Sequence, residues 1–127
     1  MLSRNDDATP SMTVFVVEDE SLVALNLEDM LFELGHRVIG PAMRIAGARA
    51  MIEGEFAADA AILDVNVAGE PVFPIAELLA SRGVPIIFAT GYDREGLPTG
   101  WHDRAILQKP YTIEDVARSL QSTVVRG

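Results

Sequence analysis

Thr13-Val14-Phe15-Val16-Val17-Glu18-Asp19-Glu20 is the stretch from which the fold is read. Its first five residues form a nearly continuous apolar run rich in β-branched side chains, the pattern of a parallel strand buried on both faces. Its last three are carboxylates. The residues that follow, 20–34, place Val23, Leu27, Met30, Leu31 and Leu34 on one helical stripe, and Gly35 stands where a C-cap glycine belongs. Ser21 or a neighbouring carboxylate suits the helix start. A buried strand that ends on acids and runs into an amphipathic helix is the unit to look for along the rest of the chain.

The unit recurs. Residues 36–40 read as a second strand and 45–56 as a second helix, with Ile45, Ala48, Met51, Ile52 and Phe56 inward. Residues 60–63 are a third strand ending at Asp64. Val72, Ile75, Ala76 and Leu79 mark a third helix, with Pro71 and Pro74 tolerated only near its first turn. Residues 85–89 are a fourth strand and 105–107 a short fifth. Thr112 caps a last helix that turns Ile113, Val116, Ala117, Leu120 and Val124 inward, and Asp115 three residues on comes close to a capping box. Residues 91–104 break the rhythm. They hold Gly91, Gly96, Pro98 and Gly100, with only Leu97 and Trp101 as large aliphatic or indole side chains, so a fourth helix is expected to be short or irregular. Strict alternation predicts an α/β fold, a doubly wound five-stranded parallel sheet with helices on both faces. Residues 1–12 are polar and aperiodic and are expected to be a flexible tail, with one domain over 13–127.

The 127 residues suit one domain, and 49% apolar residues allow a sizeable core. No tract is long enough to span a bilayer, and residues 1–11 lack the apolar centre of a signal peptide, so a soluble, cytoplasmic protein is expected. The absence of cysteine removes disulfides, thiolate zinc sites and cysteine nucleophiles. A net charge of −9, with ten scattered basic residues, opposes nucleic-acid binding, and neither nucleic acid nor membrane is an expected partner. His36 and His102 read as surface or partly packed side chains rather than phosphohistidine sites.

Ligands of an open α/β sheet bind at the carboxyl ends of its strands. That edge collects Glu18, Asp19 and Glu20 after strand one, Asp64 after strand three, Thr90 after strand four and Lys109 after strand five. Taken singly, each has a plain explanation: acids favoured by a helix dipole, an aspartate cap, turn chemistry at Thr90-Gly91 and at Lys109-Pro110. Taken together they describe phosphoryl chemistry. Carboxylates about 5 Å apart repel by about 3 kcal/mol per pair at an effective dielectric of about 20, and a hard divalent cation such as Mg²⁺ relieves that repulsion. The same cation would neutralise a phosphoryl group attacked by a carboxylate oxygen, while Lys109 and Thr90 bind its other oxygens.

These residues resemble the bacterial two-component response-regulator receiver (CheY-like) family. Val17-Glu18-Asp19-Glu20 is similar to its acidic pair, Ile62-Leu63-Asp64-Val65-Asn66 to its phosphoacceptor strand, Thr90-Gly91 to its hydroxyl and small residue, and Leu107-Gln108-Lys109-Pro110-Tyr111 to its lysine-proline-aromatic run. The intervals of 45, 26 and 19 residues between Asp19, Asp64, Thr90 and Lys109 fit as well. The resemblance implies a flavodoxin-like sheet of order 2-1-3-4-5. It implies Asp64 as phosphoacceptor and Mg²⁺ held by Asp19, Asp64 and the backbone carbonyl of Asn66, with Glu18 acting through water. Thr90 and Lys109 would bind the phosphoryl group, and a histidine kinase or phosphotransfer protein would donate it. Two departures stand out: Ile106 occupies the position where many receivers carry an aromatic relay residue, and residues 91–104 are eroded. With Phe88-Ala89-Thr90-Gly91-Tyr92 they resemble the FAT GUY subgroup of alphaproteobacterial general stress signalling.

The expected function is that of a stand-alone switch, monomeric or weakly dimeric, whose output is docking to a downstream protein or phosphorelay rather than enzymatic turnover. The competing readings are an aspartate-nucleophile phosphohydrolase and a phosphorylation-independent scaffold. Asn66 stands where such hydrolases place a second carboxylate for acid/base work, and the scaffold reading leaves a complete acid, hydroxyl and lysine set unused.

Overall fold

The computed structural model describes residues 10–91 and 96–126. Five apolar runs pair into one parallel sheet: β1 (Thr13–Val17), β2 (Arg37–Ala42), β3 (Ala60–Asp64), β6 (Ile86–Thr90) and β7 (Ala105–Gln108), in the order β2-β1-β3-β6-β7. Counting only these strands, this is the expected 2-1-3-4-5. Side chains alternate across the sheet, so each strand feeds two cores. Phe15, Val17, Ala61, Leu63, Ile86 and Phe88 face one core, which is covered by helices α2 (Ile45–Glu53) and α3 (Phe73–Ser81). Val14, Val16, Ala60, Ile62, Ile87 and Ala89 face the other, covered by α1 (Ser21–Glu33) and α4 (Ile113–Arg126). Burial on both faces is the reason these strands read as continuous apolar runs.

The helices bury the stripes their spacing marks. Leu27 and Leu31 of α1, Ile45, Ala48 and Ile52 of α2, Ile75, Ala76 and Leu79 of α3, and Val116 and Leu120 of α4 are buried. The capping box is real: the Thr112 hydroxyl accepts from the Asp115 N–H at 3.1 Å, and the Asp115 carboxylate accepts from the Thr112 N–H at 2.9 Å. Among the described residues no helix is long and apolar enough to cross a membrane.

Several local expectations need correction. Strand β2 runs on to Ala42 rather than stopping at Gly40. Gly40 sits at φ +101 where the β1–β2 register shifts, and an added Cβ would lie 2.8 Å from the Val16 carbonyl oxygen, so only glycine lets the strand pass this point. Helix α2 ends at Glu53, three residues short of Phe56, whose ring instead packs edge-on against Phe15. His36 is buried outright, deeper than the surface or partly packed position expected; its Nδ1 accepts the Met12 N–H at 3.0 Å. Ser11 and Met12, within the expected tail, are tied to the body, because the Ser11 hydroxyl donates to the Gly35 carbonyl and the Met12 carbonyl accepts the Arg37 N–H.

In place of a fourth long helix, residues 99–101 make a single 3₁₀ turn, Thr99–Trp101. Leu97 is buried, and Trp101 packs on Phe73 and Phe88 with ring centroids 6.3 and 5.5 Å away. Tyr92 and the Val124 side chain lie outside the described residues. A two-stranded hairpin absent from the sequence reading, β4 (Asn66–Val67) with β5 (Glu70–Pro71), follows Asp64 directly.

Candidate functional site

The carboxyl edge of the sheet is held by backbone pairing between neighbouring strands. The Glu18 N–H donates to the Ala42 carbonyl at 2.9 Å, the Val65 N–H to Ala89 at 3.3 Å, and the Lys109 N–H to Thr90 at 2.8 Å. The continuation of β2 through the Gly40 bulge thus fixes Glu18. The β3–β6 and β6–β7 pairings fix the residue after Asp64 and align Lys109 with Thr90. These side chains stand on rigid strand ends rather than on free loops.

Four of the expected residues converge. Glu18, Asp19 and Asp64 each present a carboxylate oxygen within 4.8 Å of the others. The Lys109 ammonium bridges two of them, at 3.1 Å from Glu18 Oε1 and 3.4 Å from Asp64 Oδ1. Glu18 is only 2% exposed, and its second oxygen accepts the Glu20 N–H at 3.1 Å. Asp19 Oδ2 accepts the Ala68 N–H at 2.8 Å. Thr90 ends β6 and is buried. Asn66 is exposed in β4, paired with Pro71 across the hairpin.

The electrostatics follow from this crowding. Burial, with Asp64 adding to it, raises the Glu18 carboxyl above its usual range against the pull of the Glu20 amide and Lys109. Burial also raises Asp64; Lys109 works against the rise and Asp19 works with it. Burial alone would lower the Lys109 ammonium, but the Glu18 and Asp64 carboxylates outweigh it and hold it above its usual value. The Tyr111 phenol is pushed up to about 12 by burial beside Glu18 and Asp64, and its hydroxyl has no hydrogen-bond partner among the described residues. A set of all-oxygen donors that repel one another and are only partly offset by one ammonium suits a hard cation.

Sequence reasoning missed two features. The Ala68 amide on Asp19 could not be anticipated, because the hairpin strands have two residues each and show no alternation. Only Gly69 hints at the turn. The second is the groove of about 350 Å³ beside Lys109, lined by Val23, Asn26, Met30, Pro110 and Tyr111, which forms where α1 meets the start of α4.

No family model matches the chain. It is 30% identical over 125 residues to the transcriptional regulatory protein PdtaR of Mycobacterium tuberculosis, covering 94% of this chain and 60% of that protein. The chain therefore spans about three fifths of the length of that curated relative. Its structure is similar to the solution structure of SdrG from Sphingomonas melonis Fr1, with 41% identity, a TM-score of 0.80, and coverage of 91% of this chain and 98% of that one. The BeF3-activated conformation of SdrG from Pseudomonas melonis Fr1 matches at 39% identity and a TM-score of 0.76, covering 92% of this chain and 99% of that one. The receiver (REC) domain of the response regulator PhyR from Erythrobacter litoralis matches at 28% identity and a TM-score of 0.78, with 91% of each chain covered.

Proposed function

The chain belongs to the response-regulator receiver family, and from that premise we propose that it is a phosphorylation switch with Asp64 as the acceptor. The observation that carries this reading is the Lys109 ammonium seated between Asp64 and Glu18, at the sheet edge where three carboxylates meet. An Asp64 oxygen attacks phosphorus as the bond to a donor imidazole nitrogen breaks. The donor is a histidine kinase or a phosphotransfer protein.

Asp19, Asp64 and the Asn66 backbone carbonyl would hold Mg²⁺, with Glu18 acting through water. When bound, the ion offsets the negative charge that gathers on the transferred group. Lys109 already sits against Asp64, so a phosphoryl group on that carboxylate arrives within reach of its N–H donors. The Thr90 hydroxyl donates to a second phosphoryl oxygen and carries the change into the segment that follows β6. A BeF3-activated state of SdrG supports this chemistry for the present chain by analogy.

The output is docking to a downstream protein or onward relay of the phosphoryl group, in the cytoplasm, from a monomer or weak dimer. Turnover is not part of the proposal: Asn66 stands where a second carboxylate would be needed for acid/base work. The test is to incubate the protein with Mg²⁺ and acetyl phosphate and follow intact mass. One phosphate per native chain and none on Asp64→Asn is expected. A native protein that takes no phosphate from acetyl phosphate or from a phosphohistidine donor at saturating Mg²⁺ refutes the proposal.

A further inference from the structure

The hairpin after Asp64 is short, and it contains an outlier. Its turn residues, Ala68 and Gly69, have φ of +51° and +84°, the pattern of a type I′ turn. Ala68 is the one non-glycine residue at positive φ among the described residues. An alanine pays for this conformation in steric strain, and strain of this kind persists where the surroundings impose it. Here the surroundings are identifiable. The Val67 side chain is fully buried in the core, the Val72 N–H closes the base of the hairpin on the Val65 carbonyl at 2.9 Å, and the Ala68 N–H points at Asp19 Oδ2 at 2.8 Å.

From this geometry we infer that the Ala68–Gly69 turn is a positioning element for the cation site, holding Asp19 in the orientation that leaves its other oxygen available to a divalent ion. The inference rests on the function proposed above and deepens it. Asp19 lies just past the end of β1 and, without the turn, would be free to rotate away from Glu18 and Asp64, which repel it. The amide donor removes that freedom and offsets part of the repulsion. The same hairpin carries Asn66, so one six-residue unit, 66–71, sets both the orientation of Asp19 and the place of the Asn66 carbonyl. A hydrogen-bond donor behind a ligating carboxylate acts through that ligand, and losing such a partner typically weakens metal binding about 10–100-fold.

The substitution that tests this is Gly69→Val. An added Cβ at Gly69 meets nothing within 4 Å, so the cost of a side chain here is backbone strain at positive φ, which is greatest for a β-branched residue. Gly69→Asn is the matched control, because asparagine tolerates that region. Mg²⁺ binding is measured by calorimetry, and amide exchange at Ala68 is measured in metal-free protein. The expected result is about tenfold weaker Mg²⁺ binding for Gly69→Val, near-native binding for Gly69→Asn, and a cooperative urea transition retained in both variants, somewhat earlier for Gly69→Val because of the strain at positive φ. Asp19→Ala should speed Ala68 exchange about tenfold or more while leaving the Val72 amide protected. A native chain that binds Mg²⁺, together with a Gly69→Val variant that binds it equally well, overturns the inference alone. So does Ala68 exchange that is indifferent to Asp19→Ala. A native chain that binds no Mg²⁺ overturns the proposed function and the role of the hairpin together.

Discussion

Replacing Asp64 by asparagine should stabilise the metal-free protein. The oxygens of Glu18 and Asp19 lie within 4.8 Å of that of Asp64, which at an effective dielectric of about 20 gives a repulsion of about 3.5 kcal/mol for each pair. Lys109 at 3.4 Å returns about 5 kcal/mol of attraction. Burial adds to the penalty on the charge, and solvent around the half-buried Asp19 takes some of the repulsion away. Charge alone leaves about 2 kcal/mol against the ionised form, and burial, the largest cause of the raised Asp64 carboxyl, acts in the same direction. For a carboxyl raised in the folded state, the penalty is absent below the ordinary carboxylate pKa and complete above the folded one, so the effect belongs to neutral pH. Asp64→Asn should therefore raise the urea midpoint by about 1 M at pH 7 in EDTA, for a slope of about 2 kcal/mol/M. Mg²⁺ at about 100 times its Kd adds about 2.7 kcal/mol to the native protein, and the variant, one charged ligand poorer, gains less. The advantage should close. An Asp64→Asn protein less stable than native in EDTA, or one whose advantage ignores Mg²⁺, would show that the three carboxylates do not share a site as described.

Other outcomes follow from the same geometry. Lys109→Ala removes a positive charge 3.4 Å from Asp64 and should leave Mg²⁺ binding intact or tighter while abolishing the conformational response to phosphorylation; loss of Mg²⁺ binding in a calorimetric titration would contradict this. Burial holds the His36 ring below its ordinary pKa, so its contribution to stability is present above about pH 6.5 and declines as pH falls toward the lower folded value. His36→Asn, which keeps an acceptor for the Met12 amide, should lessen the loss of stability between pH 7 and 5, and an identical pH slope in the two proteins would refute the assignment. Phosphorylation of Asp64 should change hydrogen exchange across residues 91–104, because Thr90 heads this segment and Trp101 within it packs on Phe73 and Phe88; exchange that changes only elsewhere would move the switch to another element.

The main sheet and most of the site could be read from the sequence for one physical reason. A parallel strand buried on both faces is apolar throughout, so its end is abrupt, and the first polar residues after it are the ones at the binding edge. Glu18 and Asp64 follow directly from that contrast, and Lys109 stands one residue further on, past Gln108. Features that depend on a single backbone conformation were less visible. Gly40-Pro41 looked like the end of a strand, yet β2 bulges there and continues to Ala42, where it holds Glu18. The hairpin at residues 66–71 has too few residues for a period, and an alanine at positive φ carries no sequence signal. His36 misled because one histidine at a strand start says nothing about what covers it; here the segment before β1 does, through the Met12 amide. Glycine and proline mark residues 91–104 as irregular, and in the described part, 96–104, the chain makes only a 3₁₀ turn, with Leu97 and Trp101 tied to the core.

The central claim is that Asp64 carries the phosphoryl group, and the most direct measurement is to find it there. Protein phosphorylated in the presence of Mg²⁺ is reduced with borohydride, which converts an aspartyl phosphate to homoserine, and is then digested and mapped by mass spectrometry. Homoserine is expected at position 64 alone, dependent on Mg²⁺ and abolished when the metal is chelated. Homoserine at Asp19 or another carboxylate, or phosphate that resists borohydride and maps to a hydroxyl or a histidine, would contradict it.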